Sequence, residues 1–394
     1  MKRRVLFCID KFNHGGGATK LLMDLINYND QLDLPVVYCL SHVTKDIKEP
    51  FEVVEGTSKE IIDTYFEKRY EIIHYFKADG NQLLKRIGVF KRDDTSLRVV
   101  MTVCQRPSYS RFLLSKKEIM LSNKIVFVDR TAYDDPLFAF IPSHRKTVIY
   151  CGCTDDTINF TKELLSLSTI NNVCPIIGRA SHLVKCPTDT FEVFDKIKNP
   201  KKIVIIGDGP KFNILKKEAL KHKSYNTFML GGLSYYDYLK EMSKFDIFLY
   251  YLPLSAHSSI DYTLGDAMLL KKPCVYYGPP APSERIKDGV NGFVARSKDD
   301  LSNLCNKLID NCDLRMKIGE KARESTIHNF SFRNTIKEYN ALYDDLASDV
   351  FTSDISIPLY FYLYYCHNGI VVFIKRLINK IFRILKIQYQ LDFD

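Results

Sequence analysis

Over residues 175–294, short apolar runs that end in glycine alternate with stretches of helical period, and no other feature restricts the fold of this chain as strongly. Residues 203–206 close on Gly207-Asp208-Gly209-Pro210, residues 228–230 close on Gly231-Gly232, and residues 174–177 and 246–251 have the same apolar character. Runs this short, bounded by turn residues, read as buried parallel strands. Residues 212–222 and 236–245 lie between them with helical spacing. Strand alternating with helix predicts a doubly wound α/β sheet, and such sheets collect their ligands at the carboxyl ends of the strands.

Arg179 and Lys185 follow the strand expected at 174–177, where a ligand would lie. A guanidinium grips two phosphate oxygens while an ammonium acts as a movable point charge, so the pair suits a diphosphate. The alternative is an ordinary solvated loop. Gly265-Asp266-Ala267-Met268 is expected to open a helix, whose free N–H groups and dipole favour an anion. Asp266 has acceptor oxygens for ribose hydroxyls, or it opposes the helix dipole as a first-turn carboxylate.

The leading half repeats the pattern with less definition. Residues 5–9 read as a first strand, followed by Gly15, Gly16 and Gly17 and a helix over about 18–28. Glycines before a helix let the backbone approach a phosphate closely, although a glycine run is also what a flexible loop looks like. Residues 98–103 and 125–129 read as further strands, and 148–156 as a closing strand and turn. A Ser/Thr/Asn-rich stretch at 159–172 reads as a linker.

A length of 394 residues exceeds one ordinary core and supports two domains. The net charge of +9 comes with no recognised nucleic-acid motif, so phosphate and membrane contacts explain it better than nucleic acid. Eleven cysteines without a secretory signal indicate free thiols in a reducing compartment, since only five apolar residues separate Arg4 from Asp10. Cys151-Gly152-Cys153 lacks a second ligand pair at zinc spacing, and no metal site is expected.

Toward the C-terminus, residues 370–387 place Lys375, Arg376, Asn379, Lys380, Arg383 and Lys386 on one side and Leu377, Ile378, Ile381, Phe382, Ile384 and Leu385 on the other at helical spacing. No acidic residue interrupts this basic amphipathic helix, and each cation adds about 1 kcal/mol near an anionic lipid surface. The Tyr/Phe-rich stretch 355–365 before it suits a membrane interface. Pro358 and His367-Asn368-Gly369 break the apolar run, which disfavours a spanning helix. A helix packed on the protein with its basic side solvated is the other possibility.

The motifs GRASHLVK, GDGP, GGLSYYDYLKEMSKFDIFLYY, DAMLLKKPCV and SERIKDGVNGFVA, continued by RMKIGEKARESTIHNFSFRNTIKEYNALYDDL, resemble in order the trailing half of family 4 glycosyltransferases. The resemblance implies the GT-B fold: two Rossmann-like doubly wound α/β domains facing across a cleft. It implies residues 1–165 as an acceptor-side domain, 172–330 as a nucleotide-sugar-binding domain, 331–348 as a helix crossing back, and 349–394 as an aromatic and basic tail. The implied activity is transfer of a sugar from a nucleotide-diphosphate sugar to a hydroxyl acceptor, a glycan or lipid-linked molecule of surface polysaccharide synthesis. Anomeric configuration would be retained, with no cofactor or metal, at the inner, cytoplasmic face of a membrane.

In this resemblance Arg179 and Lys185 stabilise the leaving diphosphate, while Gly15, Gly16, Gly17, Gly232, His257, Ser258, Gly265 and Asp266 line the donor. Two departures bear on that assignment. Ser258 and Asp266 stand where the family usually has two Glu residues, and Cys104 and Gln105 stand near a position where it often has His. His257, beside the first change, is a partial substitute or a structural residue. A nucleotide-sugar-binding partner that has lost catalysis is therefore the alternative function.

Overall fold

The computed structural model describes residues 2–13, 16–42, 50–77, 98–105, 114–167, 174–256, 258–259, 261–348, 355, 357–359 and 361. The chain divides into two compact units, Met1–Tyr150 with Ile336–Asp394, and Cys151–Thr335.

The first unit carries a parallel sheet of β1 (Val5–Phe12), β2 (Val36–His42), β3 (Glu52–Glu55), β4 (Ile72–Lys77), β5 (Val99–Val103), β6 (Lys124–Phe127) and β7 (Lys146–Val148) in the order β3-β2-β1-β4-β5-β6-β7. Strands β1, β4 and β5 are almost wholly buried, which is why residues 5–9 and 98–103 read as apolar runs without alternation, while β4 buries His74 and Lys77 and is not marked by its sequence. The chain steps outward from β1 through β2 to β3, then returns to lay β4 on the other side of β1. That reversal opens a crevice between the carboxyl ends of β1 and β4. The helix Phe332–Ser348 begins in the second unit, and from Ile336 onward it belongs to the first. Tyr339 and Tyr343, one helical turn apart, are buried there. The Tyr343 hydroxyl lies 2.6 Å from His74 Nδ1, and Thr102 Oγ1 lies 2.7 Å from His74 Nε2 and 3.0 Å from the Tyr339 hydroxyl. Asn29 and Asn340 exchange amide hydrogen bonds of 2.9 and 3.2 Å.

The second unit carries β8 (Ile176–Ala180), β9 (Lys202–Ile206), β10 (Asn226–Leu230), β11 (Ile247–Tyr251), β12 (Cys274–Tyr277) and β13 (Phe293–Val294), all parallel, in the order β10-β9-β8-β11-β12-β13. Two Rossmann-like α/β sheets are thus present, and in the second unit the reversal falls between β8 and β11. Gly207 and Gly209 after β9 adopt φ of 146° and 134°, which only glycine tolerates without strain. A Cβ on Gly207 would also stand 2.0 Å from the Ser181 carbonyl oxygen.

Three expectations change. The stretch expected as a linker at 159–172 is helical through Leu167, within Asp155–Leu167, and the boundary between units falls at Tyr150/Cys151 rather than near 165. Two acidic residues in its first turn, a Thr154 Oγ1 acceptor for the Thr157 N–H at 3.3 Å, and Phe160 and Leu164 packed on the core explain why a polar stretch is a helix. The membrane-interface role expected for 355–365 does not hold at Ile355 and Phe361. Both are buried in the first unit's core, Phe361 against Phe138 and Phe140 with ring centroids 6.2 and 5.2 Å away. The third change concerns β8, which runs past the residues 174–177 expected for it and takes in Arg179. The basic helix expected at 370–387 lies outside the described residues, as do His257 and Gly15; among the described residues no helix is long and apolar enough to cross a membrane.

Candidate functional site

Arg179 is the penultimate residue of β8, beside the β8/β11 reversal, and its side chain is 0% exposed. A solvated loop is thereby excluded. The strand leaves the sheet at Ser181, whose N–H reaches the Ile206 carbonyl at 3.2 Å, and Leu183 N–H bonds to the Asp208 carbonyl at 2.9 Å. Pinned there, the chain makes the 3-10 turn Leu183–Lys185, with the Lys185 N–H on the His182 carbonyl at 3.0 Å. The turn brings the Lys185 carbonyl within 3.3 Å of Arg179 Nη2, while Arg179 Nε donates to Cys186 Sγ at 3.1 Å. Arg179 Nη1 is buried with no hydrogen-bond partner among the described residues. A guanidinium stays protonated at any physiological pH, so this is a buried charge held only by neutral acceptors. Such a group is costly until an anion joins it.

The Lys185 ammonium, 28% exposed, lies 3.2 Å from Asp261 Oδ1. Asp261 is the N-cap residue of the helix Tyr262–Leu269, yet its side chain accepts no capping hydrogen bond. N-cap aspartates ordinarily accept an N–H of the helix's first turn. Here the second carboxylate oxygen takes the Tyr250 hydroxyl at 2.5 Å and the hydroxyl of buried Ser258. Burial, and then the Asp261 charge, push the Tyr250 phenol well above its ordinary range, so it remains a hydroxyl donor. Asp261 thus places a carboxylate beside Ser258, three residues earlier in the chain, and accepts its hydroxyl.

The other expected residues divide. Gly232 stands beside the loop after β9, where an added Cβ would meet Asp208 Cβ at 3.5 Å, an ordinary contact. Gly265 does not open its helix: the helix begins at Tyr262, so in regular α-helical bonding the Gly265 amide lies beyond the free N–H groups of the first turn. Asp266, buried in the same helix, accepts the Tyr235 hydroxyl at 2.9 Å. In the first unit, Gly16 is the N-cap of the helix Gly17–Asn27 and Gly17 its first residue. The Gly16 N–H reaches the Asn13 carbonyl at 2.9 Å, and a Cβ on Gly16 would stand 3.2 Å from that oxygen, so the turn is tight. Cys104 follows β5 with its N–H on the Lys77 carbonyl at 3.0 Å, and Gln105 follows it.

Sequence reasoning missed Asp261, Tyr250 and Arg285. Asp261 lies ahead of Gly265, where the helix is expected to open, Tyr250 falls within the apolar run 246–251, and Arg285 appears only within the SERIKDGVNGFVA motif. Arg285 is buried, donates from Nη2 to the Cys151 carbonyl at 2.5 Å and sits 4.3 Å from the Phe330 ring centroid. Cys151 and Cys153 are buried free thiols, and no cluster of three or more metal-ligating side chains occurs among the described residues.

The chain was compared with known proteins. Residues 165–325 match the family model described as "Glycosyl transferases group 1", a span that contains Arg179, Lys185, Tyr250, Ser258 and Asp261. N-acetyl-alpha-D-glucosaminyl L-malate synthase of Bacillus anthracis is 28% identical over 171 residues, 42% of this chain and 44% of that protein. The chain thus spans less than half the length of this curated relative. Among solved structures, Anabaena HepE in complex with UDP-glucose superposes with a TM-score of 0.70 at 16% identity, over 87% of this chain and 100% of that one. WaaG, a glycosyltransferase involved in lipopolysaccharide biosynthesis, superposes with a TM-score of 0.63 at 16% identity, over 88% of this chain and 100% of that one. The fold is that of the GT-B glycosyltransferases.

Proposed function

We propose that this chain is a family 4 glycosyltransferase that moves a sugar from a nucleotide-diphosphate sugar to a hydroxyl acceptor with retention of configuration. One observation carries the reading: at the reversal of the second sheet a buried guanidinium has a free nitrogen, and a mobile ammonium stands beside it. A diphosphate supplies a counter-charge to the guanidinium and a second partner to the ammonium, which Asp261 already holds. The glycosyltransferase match over the same residues supports the reading, as does a neighbour of the same fold holding UDP-glucose.

In the reaction the bond between sugar C1 and the diphosphate oxygen breaks and a bond from C1 to the acceptor oxygen forms. The acceptor's proton leaves with the nucleoside diphosphate or to water. Arg179, buried and fixed, and Lys185, able to follow the charge, stabilise the charge gathering on the leaving diphosphate. Two cations so placed can do this without a divalent metal. Surface polysaccharide or lipid-linked glycan synthesis is the context we assign, with residues 370–387 holding the chain at the inner face of an anionic membrane. A chain cut after Tyr365 keeps Ile355 and Phe361 in the core; if it sedimented with anionic vesicles as the intact chain does, the membrane assignment would fail.

The test is a screen of nucleotide sugars by thermal shift, followed by turnover with lipid-diphosphate acceptors. The Arg179→Ala, Lys185→Ala double variant is expected to lose about 3 kcal/mol of transition-state stabilisation, on the order of a hundredfold or more in rate. Wild-type turnover in that variant would overturn the reading. The replacement of Glu by Ser258 favours a binding protein without catalysis as the second reading, and donor binding without turnover across the acceptor panel would select it.

A further inference from the structure

The carboxylate of Asp261 sits where an anion-binding site has least use for one. It faces Lys185 at 3.2 Å, and Arg179 acts electrostatically on Tyr250, the same phenol that donates to Asp261. Asp261 also stands at the N-terminus of the helix Tyr262–Leu269 without capping it. A diphosphate drawn by the two cations would approach a fixed negative charge. The carboxylate is not free to withdraw, because Tyr250 and Ser258 hold its other oxygen. The ammonium is the partner able to move: it ends a flexible stem, is the more exposed of the two at 28% against 17%, and has three donor hydrogens.

We infer that Asp261 is a positioning residue, a resident counter-ion that holds the Lys185 ammonium in the empty site and competes with the diphosphate for it. This rests on the nucleotide-sugar reading above and deepens it. The three charges sum to one positive charge, so the site attracts a diphosphate while limiting how tightly it is kept. A released nucleoside diphosphate carries about one more negative charge than the sugar diester. Repulsion from Asp261 therefore falls more heavily on product than on donor, and the residue favours product release.

Inorganic pyrophosphate binding, measured by calorimetry at low salt on the full chain, tests this without knowledge of the base or sugar. Asp261→Asn and Asp261→Ser, checked for unchanged melting, are expected to bind about tenfold more tightly than wild type, from the loss of one nearby like charge. Asp261→Glu is expected to return to within about twofold of wild type. In a Lys185→Ala background, where binding is weaker and only the direct repulsion from Asp261 remains, removing the Asp261 charge is expected to tighten binding by a clearly smaller factor, about threefold, since the competition for the ammonium has no object. Unchanged or weaker binding in both Asp261 variants, with Lys185→Ala still weakening it, would overturn the inference and leave the nucleotide-sugar reading standing. Tightening of the same size in the Lys185→Ala background would also overturn it, because Asp261 would then act through the general field. Binding of pyrophosphate by Arg179→Ala and Lys185→Ala as by wild type, or by no variant, would bring down both. Once a donor is found, Asp261→Asn should lower the inhibition constant of the nucleoside diphosphate more than the donor KM.

Discussion

Each sheet buries a cation near the carboxyl end of a strand beside its reversal, and the two are treated differently. In the first unit Lys77, last residue of β4 and 3% exposed, lies 2.7 Å from Glu118, which is 0% exposed. The other oxygen of Glu118 accepts the Ser115 N–H at 2.6 Å in a capping box, so that charge is fully satisfied within the protein. In the second unit Arg179 has a thiol, a carbonyl and an unpartnered nitrogen. His74, also on β4, takes a third course: burial drives its pKa down to about 3, so it is a neutral imidazole between Tyr343 and Thr102. A histidine can shed its proton and a lysine here has its carboxylate, but an arginine keeps its charge. The difference teaches that the charge at the first reversal is closed within the fold, whereas the one at the second reversal keeps a nitrogen unpartnered among the described residues at a strand end where ligands collect.

The comparison can be broken by a matched pair of substitutions. Lys77→Met leaves Glu118 buried with its charge unbalanced and is expected to cost about 3–5 kcal/mol of unfolding free energy. Arg179→Met removes a charge that the empty protein does not balance, and its stability is expected to stay within about 1 kcal/mol of wild type or to rise, while turnover collapses. Denaturant unfolding of both proteins decides the matter. If Arg179→Met destabilised as much as Lys77→Met, the guanidinium would be a structural group and the contrast would vanish.

A smaller effect sharpens the third case. His74 has a folded-state pKa below its ordinary 6.5, so as pH falls from 6.5 toward 3 the unfolded chain takes up a proton that the folded chain refuses. Stability from this group is complete above pH 6.5 and declines by about 1.4 kcal/mol per pH unit through that window. In His74→Gln the acid limb of the stability curve should be shallower than wild type by that slope. Parallel acid limbs would show that the imidazole titrates in the folded protein as it does in water.

Much of this fold was legible before any coordinates. Local apolar runs marked β8, β9 and β11, because a parallel strand buried on both faces has to be apolar, and glycines marked the turn after β9. Strand β10 also forms, but at the sheet edge and not buried, with Phe228 half exposed. Helices expected at 212–222, 236–245 and 331–348 form as Phe212–Ala219, Tyr235–Ser243 and Phe332–Ser348. Where the reading slipped, long-range packing supplied what composition lacked. The polar stretch after Tyr150 is helical because Phe160 and Leu164 find a core, and Phe361 is buried because Phe138 and Phe140 receive it. The site was half legible: Arg179 and Lys185 stood out as cations beside a strand end, but nothing local singled out Asp261.

Sequence alone determined the alternation of strand and helix and the presence of two basic residues around the end of the first strand of the second unit, since both depend on residues close together in the chain. Only the tertiary structure decided that the Arg179 charge is buried and incompletely partnered, and that Asp261, 76 residues from Lys185, is the carboxylate facing it. Burial and the company a charge keeps depend on which distant segments meet at a strand end, and no local pattern carries that information.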